Sequence, residues 1–195
     1  MRAGGEATRA RILDAARAEF ARYGIAGARV DRIADQARAN KAQLYAYFGN
    51  KDALFDTVFQ DALVAIVDAV PVTGKDLPGY AVRLYDEYLE HPELIRLAAW
   101  ARLERRPTGH LTAGPPPRSA EKLAEIAAAQ AGGHIDPSFD PFDVFVTVIA
   151  LSMTWSPVST TFTATASDPE ADHTRRRALL RTLVARAYPP APRQP

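Results

Sequence analysis

The sequence predicts an all-α protein with a small N-terminal head, a long connecting helix and a larger helical body. Hydrophobic residues make up 47% of the chain and charged residues 24%, which is typical of a folded globular protein. Apolar residues recur with the helical period in nearly every segment between Thr8 and Tyr188. The first 50 residues carry a net charge of +4 and the remaining 145 carry −3. The head therefore has the charge of a domain that approaches a polyanion, and the body does not.

Composition excludes several classes of protein. The 195 residues include no cysteine, so disulfides, thiolate zinc sites and a cysteine nucleophile are excluded, as suits a reducing cytosol. The N-terminal residues 1–6 lack the apolar stretch of a secretory signal. The longest apolar run, residues 142–155, contains Asp143 and is too short to cross a bilayer. We expect a cytoplasmic protein with no membrane partner.

The sequence contains no signature of a catalytic or metal site. The four histidines lie far apart, and none has the H-x-x-x-H or H-E-x-x-H spacing of a zinc site. A glycine-rich phosphate loop and a G-x-S-x-G turn are both missing. We therefore predict no catalytic residue, no metal and no cofactor, and we do not expect an enzyme.

Three helices are predicted in the head. The first has Thr8 as its N-cap and Gly24 as its stop. The second runs over about residues 29–37. The third begins after Asn40, whose side chain can form a capping box with Gln43. Two short helices that follow a longer one are typical of a helix-turn-helix.

The body is predicted to begin with a long amphipathic helix from Lys51 to about Val70, which connects it to the head. The segment Pro107–Pro117 is rich in proline and glycine and is predicted to be an exposed loop. The proline-rich residues 189–195 are predicted to form a disordered tail. The other predicted helices cover about residues 77–90, 92–106, 119–131, 141–155 and 169–188.

The stretch from Gly24 to Leu54, GIAGARVDRIADQARANKAQLYAYFGNKDAL, resembles the DNA-binding head of the tetracycline-repressor (TetR) family. Agreement is closest at Ile33-Ala34, Leu44-Tyr45, Tyr47-Phe48 and residues 50–54. The resemblance implies a bacterial homodimeric repressor that binds a palindromic operator on double-stranded DNA and responds to a small molecule. It assigns DNA binding to residues 1–50, and effector binding and dimerisation to residues 51–188.

The chemistry of the third helix supports a role in DNA binding. A lysine can donate to guanine O6 and N7, a glutamine can pair with adenine N6 and N7, and an alanine can contact a thymine methyl group. Tyrosines and a helix N-terminus suit phosphate contacts. The alternatives are polar side chains that are merely solvated, and tyrosines that pack in the core of the head. The predicted DNA-binding residues are Arg29, Lys41, Ala42, Gln43, Tyr45, Tyr47 and Lys51.

Two positions depart from the family pattern. Arg38 stands in the turn where the family commonly has glycine, and a left-handed residue other than glycine costs about 1–2 kcal/mol. Either the turn keeps its conformation at that cost, or it is reshaped. Residues 26–28 lack the hydroxyl that the family usually places before the second helix, and Arg29 could supply a phosphate contact instead.

Apolar and aromatic side chains in the body suggest a cavity for a small, mostly apolar effector. The alternative interpretation of each is ordinary core packing. The predicted ligand-binding residues are Leu63, Ile66, Tyr85, Tyr88, Leu97, Trp100, Phe145 and Met153. The last two helices are predicted to form the dimer surface, through Trp155, Leu179, Leu180, Leu183 and Val184.

Two further interpretations remain open at the level of the sequence. The same head could belong to a ligand-independent or architectural DNA-binding protein. A helical enzyme or scaffold with an incidental head-like sequence would show no DNA affinity above that of a generic basic surface. A specific operator that is released by an effector distinguishes the first hypothesis from both.

Overall fold

The computed structural model describes residues 2–112 and 118–191, and within these ranges the chain is helical with no β-strand. The predicted fold class is therefore confirmed. A 3-10 turn, Gly74–Asp76, precedes the fifth helix. The helices are α1 (Arg2–Gly27), α2 (Val30–Gln36), α3 (Lys41–Phe48), α4 (Lys51–Ala69), α5 (Leu77–Glu90), α6 (Pro92–Glu104), α7 (Ser119–Ala131), α8 (Pro141–Ser152) and α9 (Glu170–Ala187).

The predicted start of α1 was wrong. Thr8 does not cap the helix, because α1 begins at Arg2 and Thr8 lies inside it. The Thr8 hydroxyl accepts a hydrogen bond from Arg11 Nη2 at 3.0 Å, one turn further along the helix. No proline interrupts residues 2–8, so the helix continues through a residue that would otherwise suit an N-cap.

Gly24 forms a kink inside α1. Its backbone angles, φ 73° and ψ −178°, belong to a region that is essentially restricted to glycine. The chain leaves helical geometry at the predicted stop, and a last short helical stretch of α1 follows it. Trp100 Nε1 on α6 donates to the Ala21 carbonyl at 3.4 Å, and Glu104 Oε2 accepts from the Ala26 amide at 2.7 Å. Helix α6 therefore provides partners for backbone groups on both sides of the kink.

The described residues divide into two compact units. The first unit spans residues 1–65 and 93–115, and the second spans residues 66–92 and 116–195, in each case for the residues that the structure describes. The first unit thus contains α1 to α3, most of α4 and nearly all of α6. It reaches beyond the predicted DNA-binding domain of residues 1–50, whose functional boundary stays a prediction.

Aromatic packing dominates the core of the first unit. The rings of Phe20 and Phe55 meet edge to face with centroids 5.2 Å apart, and Phe55 stacks on Phe59 at 5.8 Å. The Arg105 guanidinium lies 4.9 Å from the Phe55 ring centroid and pairs with Asp56 at 2.5 Å. The buried residues around them include Ile12, Ala16, Ile33, Leu44, Leu54, Val58 and Leu97.

The second unit packs α5 against α8 and α9. The Tyr85 hydroxyl of α5 and His173 Nδ1 of α9 share a buried hydrogen bond of 2.7 Å. Burial raises the pKa of Tyr85, although the hydrogen bond and charge of Arg176 act in the opposite direction. The fully buried apolar residues of this unit include Ile126, Ile135, Val144, Val148, Leu180 and Val184.

The beginning of the predicted tail is bound to the second unit. The Pro189 carbonyl accepts from the Asp136 amide at 2.9 Å, and the Ala191 amide donates to the Gly133 carbonyl at 3.2 Å. The expected disorder is therefore wrong for residues 189–191. Residues 192–195, and residues 113–117 of the predicted loop, lie outside the described residues.

Replacement of Gly24 by alanine should destabilise the first unit. The backbone conformation alone costs about 1–3 kcal/mol for a residue with a Cβ. That Cβ would also lie 2.5 Å from Glu104 Oε1 and 3.0 Å from the Trp100 ring. Gly27→Ala is the matched control, because its Cβ would meet Tyr23 Cβ at an ordinary 3.5 Å. Thermal unfolding should show a clearly lower melting temperature for Gly24→Ala alone, and equal melting of both variants would contradict this account of the kink.

Candidate DNA-binding site

Helices α2 and α3 are joined by a turn that retains its left-handed residue. Arg38 has φ 50°, its amide donates to the Asp35 carbonyl at 3.1 Å, and the Ala39 amide donates to the Ala34 carbonyl at 2.9 Å. These two hydrogen bonds are those of a Schellman motif, in which a left-handed residue follows the helix end. The turn is therefore not reshaped, and arginine occupies a position that favours glycine by about 1–2 kcal/mol.

The N-terminus of α3 carries the predicted capping box. Asn40 Oδ1 accepts from the Gln43 amide at 2.8 Å, and Gln43 Oε1 accepts from the Asn40 amide at 3.1 Å. Leu44 and Phe48 are buried, whereas residues 41–43 are exposed. The first turn of α3 is thus fixed from within and presents its outer side chains to solvent.

Two cations at this surface share one acidic partner. Lys41 Nζ is ion-paired with Asp31 Oδ1, and Arg29 Nη2 lies 3.9 Å from Asp31 Oδ2. All three side chains are exposed, with 58% of Lys41 and 45% of Asp31 accessible. The pairs are therefore accessible to competing anions.

Two further predicted DNA-binding residues, Gln43 and Lys51, also have partners inside the head. Because Gln43 Oε1 belongs to the capping box, pairing with adenine through both amide atoms requires the box to open. Lys51 Nζ donates to the carbonyls of Ala26 and Ala28, at 3.2 and 3.3 Å. Lys51 thus links the start of α4 to the connection between α1 and α2.

The two predicted tyrosines do not pack in the core of the head. Tyr45 and Tyr47 on α3 are among the exposed large side chains of the protein. The Tyr47 ring centroid lies 6.1 Å from that of Phe48, which is buried. Both tyrosines are therefore placed where a phosphate could reach them, together with the exposed Ala42.

A buried carboxylate that the sequence analysis missed supports this surface. Glu19 of α1 is only 5% exposed, and its Oε1 accepts from the Arg29 amide and from Arg32 Nε, both at 2.8 Å. The hydrogen bond to Glu19 raises the pKa of Arg32, whose guanidinium lies 4.2 Å from the Tyr23 ring centroid. Arg29 is the N-cap of α2 and makes no side-chain cap of its own, so Glu19 holds the start of this helix. A charged residue on the same helical face as Ala16 was the available signal.

The predicted ligand-binding residues do not fall in one compact unit. Leu63, Leu97 and Trp100 belong to the first unit, where Trp100 packs on the Gly24 kink. Within the first unit, Leu97 is fully buried. The remaining predicted residues belong to the second unit, and they are Ile66, Tyr85, Tyr88, Phe145 and Met153.

Tyr85 and Tyr88 line a small cavity in the second unit, together with Trp155 and Ser156. Its volume of about 10 Å³ is close to that of a single water site. The Trp155 ring meets Tyr85 edge to face with centroids 5.7 Å apart. Trp155 therefore packs on Tyr85 within its own protomer, but it is only partly buried, and its place at a dimer surface stays a prediction.

Burial divides the four residues of α9 that are predicted to form the dimer surface into two pairs. Leu180 and Val184 are fully buried within the protomer, so they belong to its core and do not face a partner. Leu179 and Leu183 are 47% and 42% exposed. Phe142 and Val146 on α8 are exposed as well.

Among the described residues, one group could offer three ligands to a metal: Glu87, Glu90 and His91, whose ligand atoms lie within 4.8 Å of one another. Glu90 and His91 are exposed, and exposed acidic groups are common without a metal. Within the same described ranges, every helix is too short or too polar to span a bilayer.

A three-helix head of this kind, with a helix-turn-helix whose second helix exposes a cationic and polar first turn, defines a DNA-binding transcriptional regulator. Residues 12–58 match the family model of the bacterial regulatory proteins of the tetR family. Residues 76–186 match the model of the tetracyclin repressor-like C-terminal domain. The chain belongs to the TetR family.

Similar proteins agree with this assignment. The HTH-type transcriptional repressor SCO4008 of Streptomyces coelicolor is 42% identical over 153 residues, which cover 75% of this chain and 77% of that protein. The crystal structure of the transcriptional regulator SCO4942 from the same organism has a TM-score of 0.76 and 41% identity, and the match covers 94% of this chain and 99% of that one. A TetR family regulator of Marinobacter aquaeolei VT8 shares the fold at 24% identity, with a TM-score of 0.70 over 96% and 98% of the two chains.

The contacts of Lys51 and Lys41 predict different consequences of their loss. Lys51→Ala should lower the free energy of unfolding by about 1–2 kcal/mol, because two carbonyls lose a charged donor. Lys41→Ala should leave stability within about 1 kcal/mol, because exposed ion pairs contribute little. Urea unfolding measures both changes. A Lys51→Ala protein as stable as the wild type would show that Lys51 does not hold the head together.

Proposed function

We propose that the protein is a ligand-responsive transcriptional repressor that binds a palindromic operator as a homodimer and is released by a small, mostly apolar effector. The observation that carries the proposal is the exposed first turn of α3, fixed by the Asn40–Gln43 capping box. A rigid, solvent-facing helix end with a lysine and a glutamine suits the edges of bases in a major groove. The relative SCO4008 is named a repressor, which favours repression over activation.

The proposed DNA contacts divide into two groups. Lys41 donates to a guanine, Ala42 approaches a thymine methyl group, and Gln43 pairs with an adenine after leaving the capping box. The other four residues contact the phosphate backbone and set the position of the head, and they are Arg29, Tyr45, Tyr47 and Lys51.

The proposed dimer surface combines α8 and α9. Leu179 and Leu183 are four residues apart and share one face of α9, and Phe142 and Val146 have the same spacing on α8. All four are exposed in the protomer, and burying the remaining surface of each would contribute about 1 kcal/mol. A four-helix arrangement of two such pairs would cover them by the symmetry of a homodimer.

Two experiments test this proposal: selection of the DNA sequences that the protein binds, and disruption of the dimer by a substitution on α9. Selection from random duplexes should return an inverted repeat, because two heads related by a two-fold axis contact inverted half-sites. Leu183→Glu should convert the dimer to a monomer in sedimentation and weaken operator binding, because it places a charge in a desolvated surface. Ala185→Glu is the control, since Ala185 is exposed two residues further along α9.

Selection of asymmetric sequences only would contradict the palindromic operator. A Leu183→Glu protein that remains dimeric would place the interface elsewhere.

The proposed effector site lies in the second unit around Tyr85, Tyr88 and Trp155. These aromatic side chains surround the small cavity described above, and the buried hydroxyl of Ser156 beside it has no hydrogen-bond partner. A buried polar group without a partner is unusual and has capacity to bind a ligand. The cavity would have to widen on binding, and its aromatic lining favours an apolar compound with one polar group.

Chain continuity offers a route from this site to the head. Helix α5 carries Tyr85 and Tyr88, and only His91 separates it from α6. A ligand that shifts α5 would move α6, whose Trp100 and Glu104 bind on both sides of the Gly24 kink. We propose that α6 and the long α4 together transmit the change, with a coupling of about 1–3 kcal/mol.

Tryptophan fluorescence tests the location of the effector site. Trp100 and Trp155 are the only tryptophans, so the variants Trp100→Phe and Trp155→Phe each leave a single reporter. An apolar compound that releases the operator should perturb fluorescence more strongly in Trp100→Phe than in Trp155→Phe, where Trp100 reports only the movement of α6. Operator DNA should weaken its binding by the same factor by which it weakens operator binding.

The opposite fluorescence pattern would place the effector at Trp100, as the sequence analysis predicted. A failure of every apolar compound to release the operator would favour the ligand-independent alternative.

A further inference from the structure

Asp31 lies among the cations that are proposed to contact DNA. It is in the first turn of α2, and its two oxygens face different partners, Lys41 for Oδ1 and Arg29 for Oδ2. One carboxylate therefore pairs with both cations in the absence of DNA, closely with Lys41 and more loosely with Arg29. A phosphate would offer these two side chains charged oxygens of the same kind.

Stability does not account for these pairs. Lys41 and Asp31 are about half exposed, and Arg29 is 65% exposed. Ion pairs of this kind contribute about 0–1 kcal/mol because water and salt screen them. By contrast, Glu19 is buried and bonds to the backbone at the start of α2, which identifies it as the acidic residue that stabilises the helix. We therefore expect the Asp31 ion pairs to affect DNA binding more than the stability of the head.

DNA must displace Asp31 from Lys41. On DNA of unrelated sequence, the Lys41 ammonium exchanges a carboxylate for a phosphate, and the freed carboxylate is left near a polyanion. Like charges brought together at an interface oppose association. On the operator, the lysine gains a guanine contact with two acceptors, which offsets the lost pair. The repulsion acts on both kinds of DNA, and only on the operator does a base contact offset it.

We infer that Asp31 is a specificity-determining residue, which holds Lys41 and Arg29 and thereby weakens binding to DNA that lacks the matching bases. The inference rests on the proposed function, because it requires that α3 contacts DNA. Asp31 acts against non-operator DNA and touches no base itself. Specificity of this kind comes from a repulsive element added to an attractive surface.

Asp31→Asn and Asp35→Asn form a matched pair of variants. Each removes one negative charge from α2, and Asp35 is exposed with no ion pair within 4.0 Å among the described residues. Fluorescence anisotropy would compare the selected operator with a mixed-sequence duplex of equal length at several salt concentrations. Thermal unfolding would establish that both variants are folded.

Asp31→Asn should raise affinity for the mixed-sequence duplex about tenfold and for the operator clearly less, so that the ratio of the two affinities falls. The salt dependence on mixed-sequence DNA should steepen, because the surface that meets the phosphates loses one negative charge. Asp35→Asn should raise both affinities by the same small factor. In a Lys41→Met background, the effect of Asp31→Asn on the ratio should largely disappear, which also provides a second test if the single variant is unstable.

Equal effects of Asp31→Asn and Asp35→Asn would overturn the inference and leave only a general effect of net charge. Weaker operator binding by Asp31→Asn would also overturn it, because Asp31 would then position Lys41 for contact. In both cases a wild-type preference for the operator would leave the proposed function intact. A wild-type protein with no such preference would refute both.

Discussion

The candidate DNA-binding surface depends on the buried carboxylate of Glu19. Helix α2 has only seven residues and no side-chain cap of its own, so an isolated segment of this length would be unstable. Glu19 supplies the missing acceptor at its N-terminus and joins α1 to Arg32 in the same contact. Because α2 carries Asp31 and leads into the turn before α3, the placement of Lys41 follows from this one group. Removing a buried charge partner leaves the other groups uncompensated, which makes such a residue difficult to replace.

Local chemistry explains which parts of the head could be predicted. The capping box of α3 followed from Asn40 and Gln43, because both partners lie within one turn of helix. The N-cap assigned to Thr8 failed, because a capping residue acts only where the preceding chain leaves the helix. Glu19 was missed because its partners lie at and within α2, and Asp31 was missed because its close partner Lys41 lies on α3. Sequence spacing alone does not bring such groups together.

In the body, too, features within one helix could be predicted and contacts between helices could not. Helical periodicity identifies an apolar face, but it does not identify the helix against which that face packs. Trp100 shows the apolar spacing expected of an effector pocket, yet it packs on Gly24 of α1. Leu180 and Val184 shared a predicted stripe with Leu179 and Leu183, and burial separates the two pairs. A side chain on a stripe can serve the core or an interface, and only the packing distinguishes them.

The capping box gives Gln43 two mutually exclusive states. In the proposed function, phosphate contacts made while its carbonyl oxygen binds the Asn40 amide would allow the head to slide along DNA, since those contacts do not depend on sequence. Pairing with an adenine through both amide atoms requires the box to open, which exposes a backbone amide that had a partner. Under that proposal, one side-chain rearrangement would separate a searching mode from a recognition mode. Rapid one-dimensional search and long residence at a target make opposite demands on a DNA-binding surface, and a helix cap that opens only at the right base pair would reconcile them.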